Sequence, residues 1–313
     1  MTGLVVSGSK NIFVVRLDGE ELECRLKGKV LKGVEGFYNP LAPGDRVSVE
    51  RDAAEDHKGL VVDLEERTNV FTRWNQKGKA PQLLAANLDI LFCVTAPESP
   101  PFRPRFIDRV LLQADLAGIQ SAIILNKCDL DAEDPDVDER LEDYIRLGYR
   151  VLRVSAATGE GMDDLRELLG GRFSALVGQS GVGKSSLLNA LAPDLGLRTG
   201  ELNEKYDRGS HTTTMARLVD VEAPRGGARV VDTPGVRQLG IHGVGPGELA
   251  QHLREFAPLV GRCTYGLSCS HVTEPGCKIM EAVAAGVIHE DRYDSFLRIR
   301  DELSGRVPWW EQD

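Results

Sequence analysis

The sequence predicts a multi-domain fold: an N-terminal OB-type β-barrel, a central α/β domain with a parallel sheet, and a mostly helical C-terminal domain built around a metal. Three observations predict it. Residues 1 to about 66 carry short alternating segments broken by Gly and Pro, and from Leu83 apolar strands alternate with amphipathic helical stretches. Near the end, three of the six cysteines gather beside His271. A chain of 313 residues suits more than one domain. The expected limits are 1–68 for the barrel, 69–82 for a linker, 83–245 for the central domain and 246–313 for the last.

Composition narrows the class. No apolar run reaches the ~18 residues of a membrane span, and Met1 to Lys10 lacks the regions of a signal peptide. No membrane partner is expected, the cytoplasm is the expected compartment, and a monomer is the expected state. Six cysteines are too few for a disulfide scaffold at this length. The formal charge of -10 is uneven: residues 129–143 hold nine acids against Arg140 alone, whereas residues 1–80 balance at thirteen each. An acidic exposed helix can coexist with a neutral or basic face elsewhere, so net charge neither supports nor excludes a nucleic-acid partner.

In the barrel, Phe13 to Leu17, Glu21 to Leu26 and Arg46 to Val49 alternate as strands, and Pro43-Gly44-Asp45 marks a turn. Between about residues 67 and 82 the chain turns polar, with Arg67, Arg73, Lys77 and Lys79 around Trp74 and Gly78. That composition reads as a linker, either solvated or gripping a phosphate backbone.

In the central domain Leu88 to Thr95 predicts a strand, Ile107 to Ala117 a helix and Ser121 to Leu125 the next strand. That strand ends in Asn126-Lys127-Cys128-Asp129, at the carboxyl end where open α/β sheets bind ligands. A carboxylate at Asp129 can accept from both the ring N–H and the exocyclic amine of guanine, a donor pair that adenine lacks. Asn126 would tie this segment to the phosphate loop, and Lys127 would lie over the base. Tyr149 to Val154 is a strand closing in Ser155-Ala156, which matches a second guanine-side segment, and Met162 to Leu169 is a helix. Phe173 to Val177 then leads into Gly178-Gln179-Ser180-Gly181-Val182-Gly183-Lys184-Ser185, a complete P-loop that opens a helix at Ser186 to Leu191. Its glycines let amides point at phosphate oxygens, Lys184 adds a positive charge near the β and γ phosphates, and the Ser185 hydroxyl suits Mg²⁺.

Further on, Arg208 to Thr214 is a polar stretch, and Arg229 to Gly235 is a strand running into Asp-x-x-Gly. These read as two switches. Thr212 or Thr213 can hold Mg²⁺, Asp232 can hold it through water, and the Gly235 N–H can contact the γ phosphate.

The guanine-reading segments precede the P-loop, the reverse of the usual order, so the domain is circularly permuted. With the loop through Ser186, the His-Thr-Thr-Thr segment, Asp-Thr-Pro-Gly and the Cys/His cluster, the chain resembles the RsgA (YjeQ) family over nearly its whole length. Those are small-ribosomal-subunit-dependent GTPases of late subunit maturation. The resemblance implies a GTP/GDP-binding GTPase whose OB barrel and permuted domain contact the small subunit and its rRNA. Val236 stands where many GTPases carry a water-orienting glutamine. His211 is the candidate in its place, favoured also by the resemblance, with Lys184 beside it in the catalytic set and Gln238 nearby.

In the last domain Cys263, Cys269, His271 and Cys277 follow Cys-x5-Cys-x-His-x5-Cys, three thiolates and an imidazole suited to one closed, structural Zn²⁺ site. Lys278 to Ala285 and His289 to Leu303 predict helices, with Arg292, Arg298 and Arg300 available for phosphate contacts. Three readings compete with a subunit-dependent GTPase. They are a GTP-gated protein acting on other RNAs with incidental hydrolysis, a P-loop metabolite kinase, and a purely structural interaction module.

Overall fold

The computed structural model describes residues 1–9, 11–28, 31, 34–75, 78–130, 136–196, 216–236 and 239–305. The barrel comprises β1 (Thr2–Ser9), β2 (Ile12–Leu17), β3 (Glu20–Leu26), β4 (Arg46–Arg51) and β5 (Lys58–Leu64). Their order is β1-β2-β3-β5-β4, and β4 pairs back with β1, which closes the barrel. Only β3 and β5 run parallel within it. Alternation explains which side chains face inward: Phe13, Val15 and Leu17 of β2 are buried, with Leu22, Cys24, Val47 and Val61 opposite them. Asp18 and Gly19 form a two-residue hairpin turn with φ of 53° and 90°, a geometry that Asp-Gly favours.

Residues 69–82, expected as a linker, instead carry most of an antiparallel hairpin, β6 (Val70–Asn75) with β7 (Ala80–Ala86). One side of it is apolar: Phe71, Leu84 and Ala85 are fully buried in the core shared with the central sheet. The polar residues that suggested a connector lie between those anchors. Arg73 is half-buried with its Nε on Gln82 Oε1 at 3.1 Å, which limits what it can offer a phosphate, and Lys77 lies outside the described residues.

The central sheet uses β8 (Ile90–Thr95), β9 (Gln120–Leu125), β10 (Arg150–Arg153), β11 (Phe173–Gly178), β12 (Arg217–Val221) and β13 (Ala228–Asp232). It runs β10-β9-β8-β11-β13-β12, parallel except for β12. Helices α1 (Pro104–Leu116), α2 (Asp136–Arg146), α3 (Met162–Leu169) and α4 (Lys184–Leu191) cover the sheet. Strands buried on both faces read as continuous apolar runs, which is why β8 and β11 were legible. β12 also pairs with β1, Ser7 opposite Arg217, so barrel and central sheet form one continuous surface, and Arg16 meets Asp220 at 2.6 Å across the join.

The last domain has several short 3₁₀ turns, α5 (Lys278–Ala284) and α6 (Glu290–Leu303). Phe256, Phe296 and Ile299 pack with Leu112 of α1, which seats the domain on the central one. Two sequence expectations fail at this junction. α2 is not a wholly solvated acidic face, because Arg140 and Asp143 are buried and joined at 3.2 Å. Arg292 is not free for phosphate either: it is buried against Asp108 at 2.6 Å and Glu255 at 2.7 Å. Among the described residues no helix is long and apolar enough to cross a membrane.

Candidate nucleotide and metal sites

The carboxyl ends of β8, β9, β11 and β13 converge on the P-loop. Gly178 ends β11, and a Cβ there would stand 2.3 Å from Val94 O. Gly183, at φ 90°, would place a Cβ 2.3 Å from Asn126 Nδ2. Both positions exclude a side chain, and the closeness lets the loop lie against its neighbours. Lys184 opens α4 and folds back, its Nζ donating to Gly178 O at 2.9 Å and Gln179 O at 3.0 Å. Burial lowers the Lys184 ammonium to about 8, against the opposing pull of Asp232. Such a lysine gains by meeting an anion. The first amides of α4 have no partner inside the helix and carry its positive dipole end.

Asp232 ends β13 next to this lysine. Burial raises its carboxyl to about 6, opposed by Lys184 and by a hydrogen bond from Ser185. Its Oδ1 is buried without a protein partner, so the pair Ser185 and Asp232 offers oxygen ligands with one lone pair set unused. The chain then lies flush on the P-loop. Thr233 Oγ1 donates to Leu176 O at 2.7 Å, Val236 N–H donates to Gly178 O at 3.1 Å, and a Cβ on Gly235 would stand 3.0 Å from Ser180 Cα. Val236 turns its side chain into the core, 1% exposed, away from any attacking water. His211, Thr212 and Thr213 lie outside the described residues.

On the base side, Asn126 is the joint. Its Nδ2 donates to Val182 O at 2.8 Å, and its Oδ1 accepts from Ala156 N–H at 3.2 Å. The Ala156 amide therefore serves this bridge in the present arrangement. Ser155 is fully buried and its hydroxyl accepts from the amides of Ala157 and Thr158, which fixes the turn after β10. Asp129 is exposed. Lys127 adopts φ 63° and its Nζ donates to Ser99 O at 2.5 Å. Sequence reasoning missed Ser99, which sits in the Pro-rich segment after β8. The run of prolines there was the available signal, since such a segment cannot extend β8 and must leave the sheet at the strand's carboxyl end.

Cys263, Cys269, His271 and Cys277 are all buried, and their ligand atoms lie within 4.8 Å of one another, a cluster that could hold a metal ion. His271 presents Nδ1, 3.6 Å from Cys263 Sγ and 3.4 Å from Cys277 Sγ, while the two sulfurs are 3.9 Å apart. Outer contacts hold the ligands: Lys278 N–H points at Cys263 Sγ at 3.3 Å, and Tyr293 OH donates to His271 O at 2.8 Å. The structure thus brings the four together as the spacing predicted.

Comparison with known proteins agrees with this geometry. The family model described as RsgA GTPase matches residues 64–242. A protein of Gemmatimonas aurantiaca named small ribosomal subunit biogenesis GTPase RsgA is 39% identical over 97% of this chain and 98% of its own. Its namesake in Chlorobaculum parvum is 37% identical over 97% and 98%. Among solved structures, YjeQ from Thermotoga maritima superposes with a TM-score of 0.71 at 32% identity, covering 98% of this chain and 99% of its own. YloQ, a circularly permuted GTPase, gives 0.65 at 25% identity, covering 98% and 96%.

Proposed function

The chain belongs to the RsgA GTPase family, and from that premise we propose that it binds the small ribosomal subunit and its rRNA, hydrolyses GTP under stimulation by that subunit, and acts in the subunit's late maturation. The Asn126 bridge carries the reading. One side chain joins the phosphate loop at Val182 to the Ala156 segment, so motifs scattered in permuted order along the chain meet in one guanine-nucleotide site.

In this reading the amides from Ser180 to Ser186 and the Lys184 ammonium hold the phosphates, and the bound anion keeps that lysine protonated. Asp129 accepts two donors from guanine and Lys127 lies along the base. Ser185 and Asp232 fit Mg²⁺, since both supply oxygen and Asp232 Oδ1 is buried and unpaired. When bound, Mg²⁺ neutralises charge on the β and γ phosphates. Thr212 or Thr213 is proposed to complete its protein ligands. His211 is proposed to orient the attacking water, and Gly235 to sense the γ phosphate.

The fourfold cluster fits Zn²⁺. Zn–S bonds of about 2.3 Å and a Zn–N bond near 2.0 Å in a tetrahedron give S–S edges of roughly 3.8 Å and S–N edges of roughly 3.5 Å. The distances of 3.9, 3.6 and 3.4 Å match them. Four protein ligands leave no open position, so the ion is structural. The barrel, central and last domains are proposed to span 1–68, 83–245 and 246–313, with β6 between the first two and β7 running on into the second, and the protein is proposed to work as a cytoplasmic monomer.

The test is GTP turnover by the purified chain with small subunits, with large subunits and with neither. Acceleration by small subunits alone is expected. Equal rates in all three would remove the partner from the proposal.

A further inference from the structure

Beyond the turn from Asp232 to Val236, the chain is held from two directions. Arg109 Nη1 on α1 donates to Leu239 O at 3.1 Å, and Ile241 N–H donates to Glu302 Oε1 on α6 at 3.1 Å. The two side chains also pair with each other, Arg109 Nη1 on Glu302 Oε2 at 2.6 Å, and are only 14% and 6% exposed. Upstream, Val236 N–H is anchored on Gly178 O. Three Cα steps separate Val236 from Leu239, a reach of at most about 11 Å. A displacement of Gly235 larger than that short span can absorb must therefore act on the clamp.

We infer that Glu302 is a positioning residue for the γ-phosphate-sensing turn: by gripping both Ile241 and Arg109, it lets α6 of the metal-holding domain set where that turn ends. The inference rests on the GTPase reading above. Its consequence is that preference between GTP and GDP depends partly on a carboxylate that touches neither nucleotide. Because the clamp joins α1 to α6 at the point where the chain leaves the turn, the last domain need not swing to exert this control. It acts as a fixed stop.

The test measures affinities of the full chain for fluorescent GDP and for a fluorescent non-hydrolysable GTP analogue, and takes their ratio. Glu302→Ala removes both contacts and should change the ratio at least threefold. Glu302→Gln keeps an acceptor for the Ile241 amide and should change it less. Arg109→Lys keeps the charge but shortens the reach of the single nitrogen, Nη1, that meets both Leu239 O and Glu302, and serves if Glu302→Ala does not fold; it should move the ratio in the same direction. A merely structural role would lower melting temperature and both affinities together with the ratio fixed, and that result in the folded variants overturns the inference. The functional reading fails on a different result, in which small subunits leave wild-type turnover unchanged while the ratio is still measurable.

Discussion

Asp108 on α1 and Arg292 on α6 meet at 2.6 Å with both side chains withdrawn from water. The same carboxylate accepts from Tyr144 OH at 2.6 Å and Ser295 Oγ at 2.5 Å, and Arg292 forks onto Glu255. Helices of the central and last domains are thus joined through buried, mutually neutralised charge. Such a pair is weak evidence for stability but costly to break on one side only, because the remaining charge stays in low dielectric.

Asp108→Asn should therefore lower unfolding free energy by about 3–5 kcal/mol, the range for stripping one partner from a buried pair. Denaturant titration reads the loss. Burial by itself would raise the Asp108 carboxyl, but Arg292 and Arg140 hold it below the ordinary value. Its stabilising effect is then fully present above the unfolded carboxylate pKa of about 3.9 and is lost as pH falls through the lower folded value. The stabilities of wild type and Asp108→Asn should converge as pH drops below about 4, and a constant gap would show that charge is not the cause.

Asn126→Ala should weaken GDP and GTP alike by roughly 10- to 100-fold, because one deletion leaves Val182 O and Ala156 N–H without their shared partner. Titration with a fluorescent guanine nucleotide measures it. A change confined to GTP would instead place Asn126 with the switches.

Asp129→Asn should exchange base preference. The amide presents a donor where the carboxylate accepted one, so GTP weakens and xanthosine triphosphate, with a carbonyl at the 2-position, improves. A discrimination change of about 100-fold or more is expected for a site built to pair with a donor. Unaltered competition between the two nucleotides would remove Asp129 from base reading.

Removing metal with a chelator should release one ion per chain and loosen the last domain, since the four ligands would then be three buried thiols and an imidazole with nothing between them. α6 packs on that centre through Phe296 and Tyr293, so its grip on α1 should slacken too. GDP affinity should stay within about threefold, because the P-loop and Asn126 contacts lie elsewhere. Ion release is read by metal analysis and loosening by hydrogen exchange in α6. An α6 that exchanges equally slowly with and without metal would contradict the expectation.

What the sequence disclosed and what it hid follow from the range of each interaction. The loop that folds Lys184 back on itself and the cluster Cys263 to Cys277 were legible because their chemistry demands particular residue types at short, fixed spacings. The barrel and the central strands were legible through alternation and continuous apolar runs. The hairpin was not, because in β6 only Phe71 and Thr72 are buried among more exposed neighbours, and the apolar run Leu83 to Ala86 of β7 reads from sequence as the opening of the next domain until β6 pairs with it. Nor could Arg140 and Arg292 be recognised as buried, since both meet Asp108, a group distant in sequence: it stands 184 positions from Arg292. Glu302 belongs to the same kind. Its partners Arg109 and Ile241 are brought to it by the fold alone.

The remaining prediction concerns the position where many GTPases carry glutamine. If Val236 were only a poor substitute there, Val236→Gln should speed hydrolysis. The structure argues otherwise: the backbone amide is committed to Gly178 O and the side chain is buried with Leu239 and Val231 in the apolar core. A glutamine would have to bury its amide, at a cost of about 1–3 kcal/mol without partners, or pull the turn off the phosphate loop to reach water. Either way it is not delivered to the γ phosphate. Val236→Gln should therefore lower the melting temperature and leave intrinsic turnover no faster than wild type, as read by single-turnover hydrolysis without subunits. A clear rate increase would mean that the turn can rotate this side chain into the site, and that the water-orienting role need not fall to a residue of the first switch.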